Sequence, residues 1–209
     1  MSRDKFDKSA GDQIAGAIRE IEKQTNAEMV VVVRGRSGNY LHADYLFGAI
    51  VALIGLVFVL FSPIEFHTYW IPLDVIGLFI AGAWVSSRGN LLRRTFTTKK
   101  FRTNGARIGA SAMFYEAGIA NTSAENGMLI YLSLLERRLE VIADRGILKA
   151  VPPLLWNQCV FELHQIGKDA TPQKFIEGLR MTGRLLAEHL PATGENPNEL
   201  ADGARIELK

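Results

Sequence analysis

The chain has few of the residues from which most enzymes build their sites. A single cysteine, Cys159, among 209 residues excludes an internal disulfide and a multi-cysteine metal centre. Its spacing from Leu155, Leu163 and Ile166 predicts a small buried hydrophobe, and no arginine follows six residues later as in thiol phosphatases. The four histidines, His42, His67, His164 and His189, are scattered and form no H-E-x-x-H pair. Gly167-Lys168 lacks the upstream glycine of a phosphate-binding loop, no G-x-G-x-x-G follows a strand-like run, and there is no G-x-S-x-G elbow. A formal net charge of +2 gives no reason to expect a nucleic-acid partner.

Charge is also missing where its absence says most. Tyr45 to Ile64 contains no charged side chain, and about 20 apolar residues suffice for a helix to cross a bilayer. A second apolar arm, Trp70 to Ser86, carries one carboxylate, Asp74, near its start. Buried helices of a soluble core are the alternative, but a surface helix shows one apolar stripe and these arms show no polar side. Residues 45–87 therefore read as a transmembrane hairpin with its turn at Ser62-Pro63-Ile64-Glu65. Tyr69, Trp70 and Trp84 fit interfacial aromatic belts, and Asp74 lies one turn inside the interface.

Basic residues set the expected orientation. Ser62 to Tyr69 has no Lys or Arg, whereas Arg88, Arg93, Arg94, Lys99, Lys100 and Arg102 crowd residues 88–105, and Arg34 and Arg36 precede the first arm. The positive-inside rule places both flanks and both termini in the cytoplasm, as in a bacterial inner-membrane protein with two spans. Met1 to Ala10 is polar, so no signal peptide is expected. The six basic side chains of residues 88–105 are also candidate contacts with anionic lipid, at about 1 kcal/mol each. Gly48, Gly55, Gly77 and Gly82 allow close helix contact within the hairpin or between copies in a homo-oligomer.

The rest of the chain, roughly 165 residues, suffices for one domain. Ile14, Ala17, Ile18 and Ile21 predict an amphipathic helix over residues 7–24. Four successive valines, Val30 to Val33, predict a strand covered on both faces. Ala106, Ala110, Met113, Phe114 and Ala117 form another helical stripe. Residues 128–134 and 138–143 read as an antiparallel pair about a short turn. Pro152-Pro153 and Thr171-Pro172 open two helices, the first with Leu155, Cys159, Leu163 and Ile166 inward, and Pro191 ends the second. Residues 192–209, rich in Asn, Glu, Gly and Pro, are expected to form a flexible tail. The hairpin would thus interrupt one α/β domain, residues 7–40 before it and 106–191 after.

Polar residues at strand ends are the remaining candidates for chemistry. Asn126 precedes one strand and Asp144 follows the next, which puts them at one end of an antiparallel pair. Glu28 opens the first strand, and Ser37, beyond its end, lies with them or opposite according to strand direction. A carboxylate with amide and backbone oxygens suits Ca²⁺ or Mg²⁺; the alternative is that Asp144 and Asn126 only form turns and caps.

Three segments carry a family resemblance. Thr25-Asn26-Ala27-Glu28 before the valine strand, Asn126-Gly127-Met128-Leu129-Ile130, and Glu136 to Ile147 with Asp144-Arg145-Gly146 resemble the TPM domain family of thylakoid-lumen phosphatase-like and photosystem II repair-like proteins. The chain is similar in particular to bacterial members with a membrane segment after the first strand. The resemblance implies a three-layer α/β/α sandwich with a mixed sheet. It implies either a factor for assembly or maintenance of membrane complexes, with a membrane-protein partner, or a divalent-metal-dependent phosphatase with Asp144 and Glu28 as candidate catalytic carboxylates and Asp144 and Asn126 as candidate ligands. Asn126 stands where many relatives have Asp, which lowers the charge of a hard-metal site.

Overall fold

The computed structural model describes residues 6–64, 67–193, 200 and 204–208; Glu65, in the expected hairpin turn, lies outside them. The chain folds as two units, Gly38–Arg102 and, formed from both flanks, Met1–Ser37 with Thr103–Lys209.

The larger unit is a mixed α/β structure. Helix α1 (Lys8–Glu22) starts where the Asp7 carboxylate accepts the Ala10 N–H at 2.9 Å, and it buries Ile14, Ala17, Ile18 and Ile21. Strands β1 (Glu28–Arg34), β2 (Gly127–Ser133), β3 (Arg138–Ala143) and β4 (Ala204–Glu207) form one sheet in the order β3-β2-β1-β4. β1 is parallel to β2, with Glu28 opposite Gly127 and Arg34 opposite Ser133; β3 returns antiparallel to β2.

Alternation along the strands divides the core. Met29, Val31, Val33, Met128, Ile130 and Leu132 join a cluster with residues of α1, α7 (Pro153–Lys168) and α8 (Pro172–His189). Val30, Val32, Leu129 and Tyr131 pack instead with Ala110, Met113 and Phe114 of α5 (Lys99–Glu116) and with Ile119. The valine run is continuous because both of its faces are buried.

Two expectations are corrected. The segment expected to be a flexible tail contributes β4, which pairs in parallel with β1 from Val31↔Ala204 to Arg34↔Glu207. Its composition hid an apolar–polar alternation at Ile206 and Leu208, both of which pack on the core. On α7, Leu155 is 39% exposed, and the inward residues are Cys159, Leu163 and Gly167. The helix is turned so that Gly167 lies against β3, where a Cβ would come within 2.5 Å of the Leu139 nitrogen.

The smaller unit contains α2 (Leu41–Phe61), α3 (Ile71–Arg88) and α4 (Asn90–Thr95). Both α2 and α3 are long and apolar enough to cross a membrane. Their large side chains point outward: Ile54, Phe58 and Leu60 of α2 are 60–64% exposed. The two helices meet at Gly48 and Gly82, where a Cβ on Gly48 would lie 2.6 Å from the Phe79 carbonyl oxygen and one on Gly82 would lie 3.0 Å from the Gly48 Cα. Gly55 faces Leu78, while nothing lies within 4 Å of a Cβ placed on Gly77.

Candidate functional site

Parallel pairing of β1 with β2 brings the starts of both strands together, and antiparallel β3 ends at the same place. Glu28, Asn126 and Asp144 therefore share one end of the sheet, and Ser37 lies at the other.

Each of the three side chains has a partner within the chain. Glu28, 4% exposed, accepts the Leu200 N–H through Oε2 at 2.8 Å. Asn126, 3% exposed, donates through Nδ2 to the Asn26 carbonyl, and its N–H donates to Thr122 Oγ1 at 3.2 Å. Asp144 caps α6 (Arg145–Ala150), accepting the Arg145 N–H at 2.7 Å. Among the described residues, no group of three or more His, Cys, Asp or Glu side chains is placed to hold a metal ion.

The motif glycines have steric reasons. A Cβ on Gly146 would lie 2.6 Å from the Glu125 carbonyl oxygen and 2.8 Å from that of Ala124; one on Gly127 would lie 2.5 Å from the Ile119 carbonyl oxygen. Glu125 itself adopts a left-handed conformation with φ of 52°, stepping the chain towards Gly146, whose N–H donates to the Glu125 carbonyl at 2.8 Å. Thr25 joins the same region through its hydroxyl, which donates to the Leu190 carbonyl at 2.6 Å. Thr25, Asn126, Gly127, Asp144 and Gly146 thus fasten loops at one end of the sheet.

The opposite end holds a hydroxyl network that was not picked out from the sequence. Ser133 Oγ donates to Glu136 Oε2, so it is free to accept from Ser37 Oγ at 2.7 Å; Ser37 in turn accepts from the Tyr131 hydroxyl at 2.7 Å. The Ser37 N–H also donates to Glu136 Oε1 at 2.8 Å. Burial pushes the Tyr131 phenol above its ordinary pKa, against the opposing effects of Ser37 and Arg34. A serine linked through hydroxyls to a carboxylate has the parts of an activated nucleophile, but Tyr131 and Ser133 are wholly buried. The network ties the loop after β1 to the β2–β3 turn. Its one sequence signal was the Ser133-x-x-Glu136 spacing at that turn.

In the hairpin unit, the expected set of lipid-facing cations divides. Arg93 is turned inward and is corrected: its Nη2 lies 2.6 Å from Asp44 Oδ2 and its Nε 3.0 Å from Oδ1, with both residues buried. Ser86 Oγ donates to Asp44 Oδ1 at 2.8 Å, so one carboxylate joins α2, α3 and α4. A carboxylate at the base of an apolar helix is stable only when paired, and Arg93 supplies the pair. Arg88 lies over the Trp84 ring at 4.2 Å, Arg102 donates to the Arg94 carbonyl at 2.9 Å, and Lys99 and Lys100 are exposed.

No family model matches the chain, and no curated protein sequence does. Among solved structures it is similar to the NMR structure of the BA42 protein from the psychrophilic bacterium Bizionia argentinensis. The TM-score is 0.57 at 16% identity, covering 96% of this chain and 94% of that one. At that identity the likeness concerns the fold alone.

Proposed function

We propose that this chain is a membrane-anchored TPM-like protein whose α/β unit, a three-layer α/β/α sandwich, serves at the cytoplasmic face as an interaction module for assembly or maintenance of a membrane complex. The observation that carries the reading is the outward-facing apolar surface of α2 and α3. Removing such a surface from water is favourable by about 25 cal/mol per Å², and a bilayer does this for the outward faces of two helices of this length. The hairpin turn lies outside and both termini inside, with Arg88, Arg94, Lys99, Lys100 and Arg102 near anionic lipid.

A divalent-metal-dependent phosphatase of the TPM type is the second reading, favoured by the meeting of Glu28, Asn126 and Asp144 at one sheet end. Their engagement with Leu200, Asn26 and Arg145 makes it the weaker one.

Cysteine labelling in intact cells tests the arrangement. In a Cys159→Ala background, a cysteine at Ile64 should react with a membrane-impermeant thiol reagent and one at Lys168 should not. Labelling at Lys168 alone would reverse the orientation, and labelling at neither site would remove the spanning hairpin.

A further inference from the structure

Strand β4 is held differently from its neighbours. Nearly every residue of β1 and β2 is buried, whereas Arg205 and Glu207 of β4 are exposed and Ile206 is only half-buried. Four register pairs join it to β1. Without it, β1 would become the sheet edge and present unpaired backbone groups to any extended chain.

The flank of β1 is shaped to receive a segment of particular chemistry. At its start, buried Glu28 accepts the Leu200 N–H. At its end, Arg34 Nε donates to Glu207 Oε2 at 2.7 Å, and the Gly35 N–H donates to the Glu207 carbonyl at 2.8 Å. Between these clamps Ile206 enters a notch at Gly11 of α1, where a Cβ would lie 2.9 Å from the Ile206 Cδ1. Glycine is unfavourable within a helix, so a notch there marks a place where the incoming side chain matters.

We propose that the flank of β1, bracketed by Glu28 and Arg34, is a strand-binding groove in which Leu200 and β4 act as an internal ligand that an extended segment of a partner protein replaces. The partner segment pairs in parallel with β1 and carries an aliphatic residue at the Gly11 notch followed by an acid for Arg34. Main-chain pairing supplies affinity and the notch and clamp supply selectivity, as in other strand-addition complexes. The inference rests on the reading of the α/β unit as an interaction module, and names the chemistry of what it binds.

The test uses the full chain in detergent and a fluorescent peptide with the sequence of residues 200–208. An internal competitor lowers apparent affinity by the fraction of open groove. Ile206→Ser, which loosens β4, should therefore bind the peptide at least about tenfold tighter than wild type. Adding Arg34→Glu should remove that gain, and a peptide with Lys in place of the acid at position 207 should restore it. Equal binding by wild type and Ile206→Ser, or indifference to Arg34→Glu, overturns the proposal.

Should Ile206→Ser fail to fold, hydrogen exchange on wild type decides. Amides of Gly35 and residues 205–207 should exchange at least about a hundredfold faster than those of residues 128–132, because a replaceable strand opens locally. Equal protection overturns the proposal. A concentration-dependent dimer that the peptide dissociates would assign the groove to a second copy and remove the partner assignment. Metal-dependent phosphoester hydrolysis would remove the interaction reading while leaving the peptide result standing. A co-purifying complex that resists both the peptide and Arg34→Glu would remove the groove alone.

Discussion

The two units solve the placement of apolar residues in opposite ways. In the α/β unit, α1 and α8 hide one stripe against the sheet and show water a polar face. In the hairpin unit, the large side chains of α2 and α3 face outward and the smallest residues, Gly48 and Gly82, form the contact. Their ion pairs differ as well. The strong ion pair of the hairpin is buried between Asp44 and Arg93, while Arg34–Glu207 and Arg180–Glu20 in the α/β unit are solvent-exposed. One chain thus contains a unit that hides its large apolar side chains and a helix pair that turns them outward, and the buried pair marks the base of the second.

Breaking that pair should give the largest effect. Asp44→Ala leaves a buried guanidinium without its carboxylate, which costs about 3–5 kcal/mol. Thermal unfolding in detergent should show α2–α3 melting early, and hydrogen exchange should show residues 128–132 unchanged. A double variant, Asp44→Leu with Arg93→Met, should recover most of the loss because the charge is removed with its partner. No destabilisation by Asp44→Ala would mean that water reaches the pair and that the base of the hairpin is not closed.

A glycine comparison should give a middle-sized effect. Gly146→Ala places a methyl against two backbone carbonyls that cannot rotate away, and should cost about 1–3 kcal/mol in denaturant unfolding. Gly77→Ala in α3 meets nothing and should be neutral or stabilise by up to about 1 kcal/mol through helix propensity. A silent Gly146→Ala would show that the loop at Glu125 yields freely, and the steric reason for the Asp144-Arg145-Gly146 motif would fall.

The parts legible in the sequence were those with a local period. The alternate faces of α1, the valine strand, the β2–β3 pair and the proline starts of α7 and α8 each declare themselves within a few turns or pairs. Contacts across long separations were not legible: nothing near Asp44 points to Arg93, which reaches it only because α3 returns along α2. β4 was hidden by composition, since Asn, Glu and Gly before it outweigh two apolar residues in alternation. At the candidate site, Asn126 and Asp144 could be placed at one end from strand order, but the side of Glu28 waited on the direction of β1, and the partners of all three side chains were not legible. Glu28 faces Leu200, and no pattern in either segment names the other.

The smallest effect separates the two readings of that site. If Asp144 only caps α6, Asp144→Asn should change stability by a few tenths of a kcal/mol, because Asn caps a helix as well as Asp, whereas Asp144→Ala should cost about 1 kcal/mol. Calorimetric titration of Ca²⁺ and Mg²⁺ into wild type should find affinity no tighter than about millimolar, since tight oxygen sites gather several free carboxylates. Here Glu28 is engaged by a backbone N–H and Asn126 carries no charge. Sub-micromolar binding abolished by Asp144→Asn would reverse the order of the two readings. The cap contact would then be a resting arrangement from which the carboxylate swings towards the ion, and the α/β unit would have to be treated as an enzyme on an anchor.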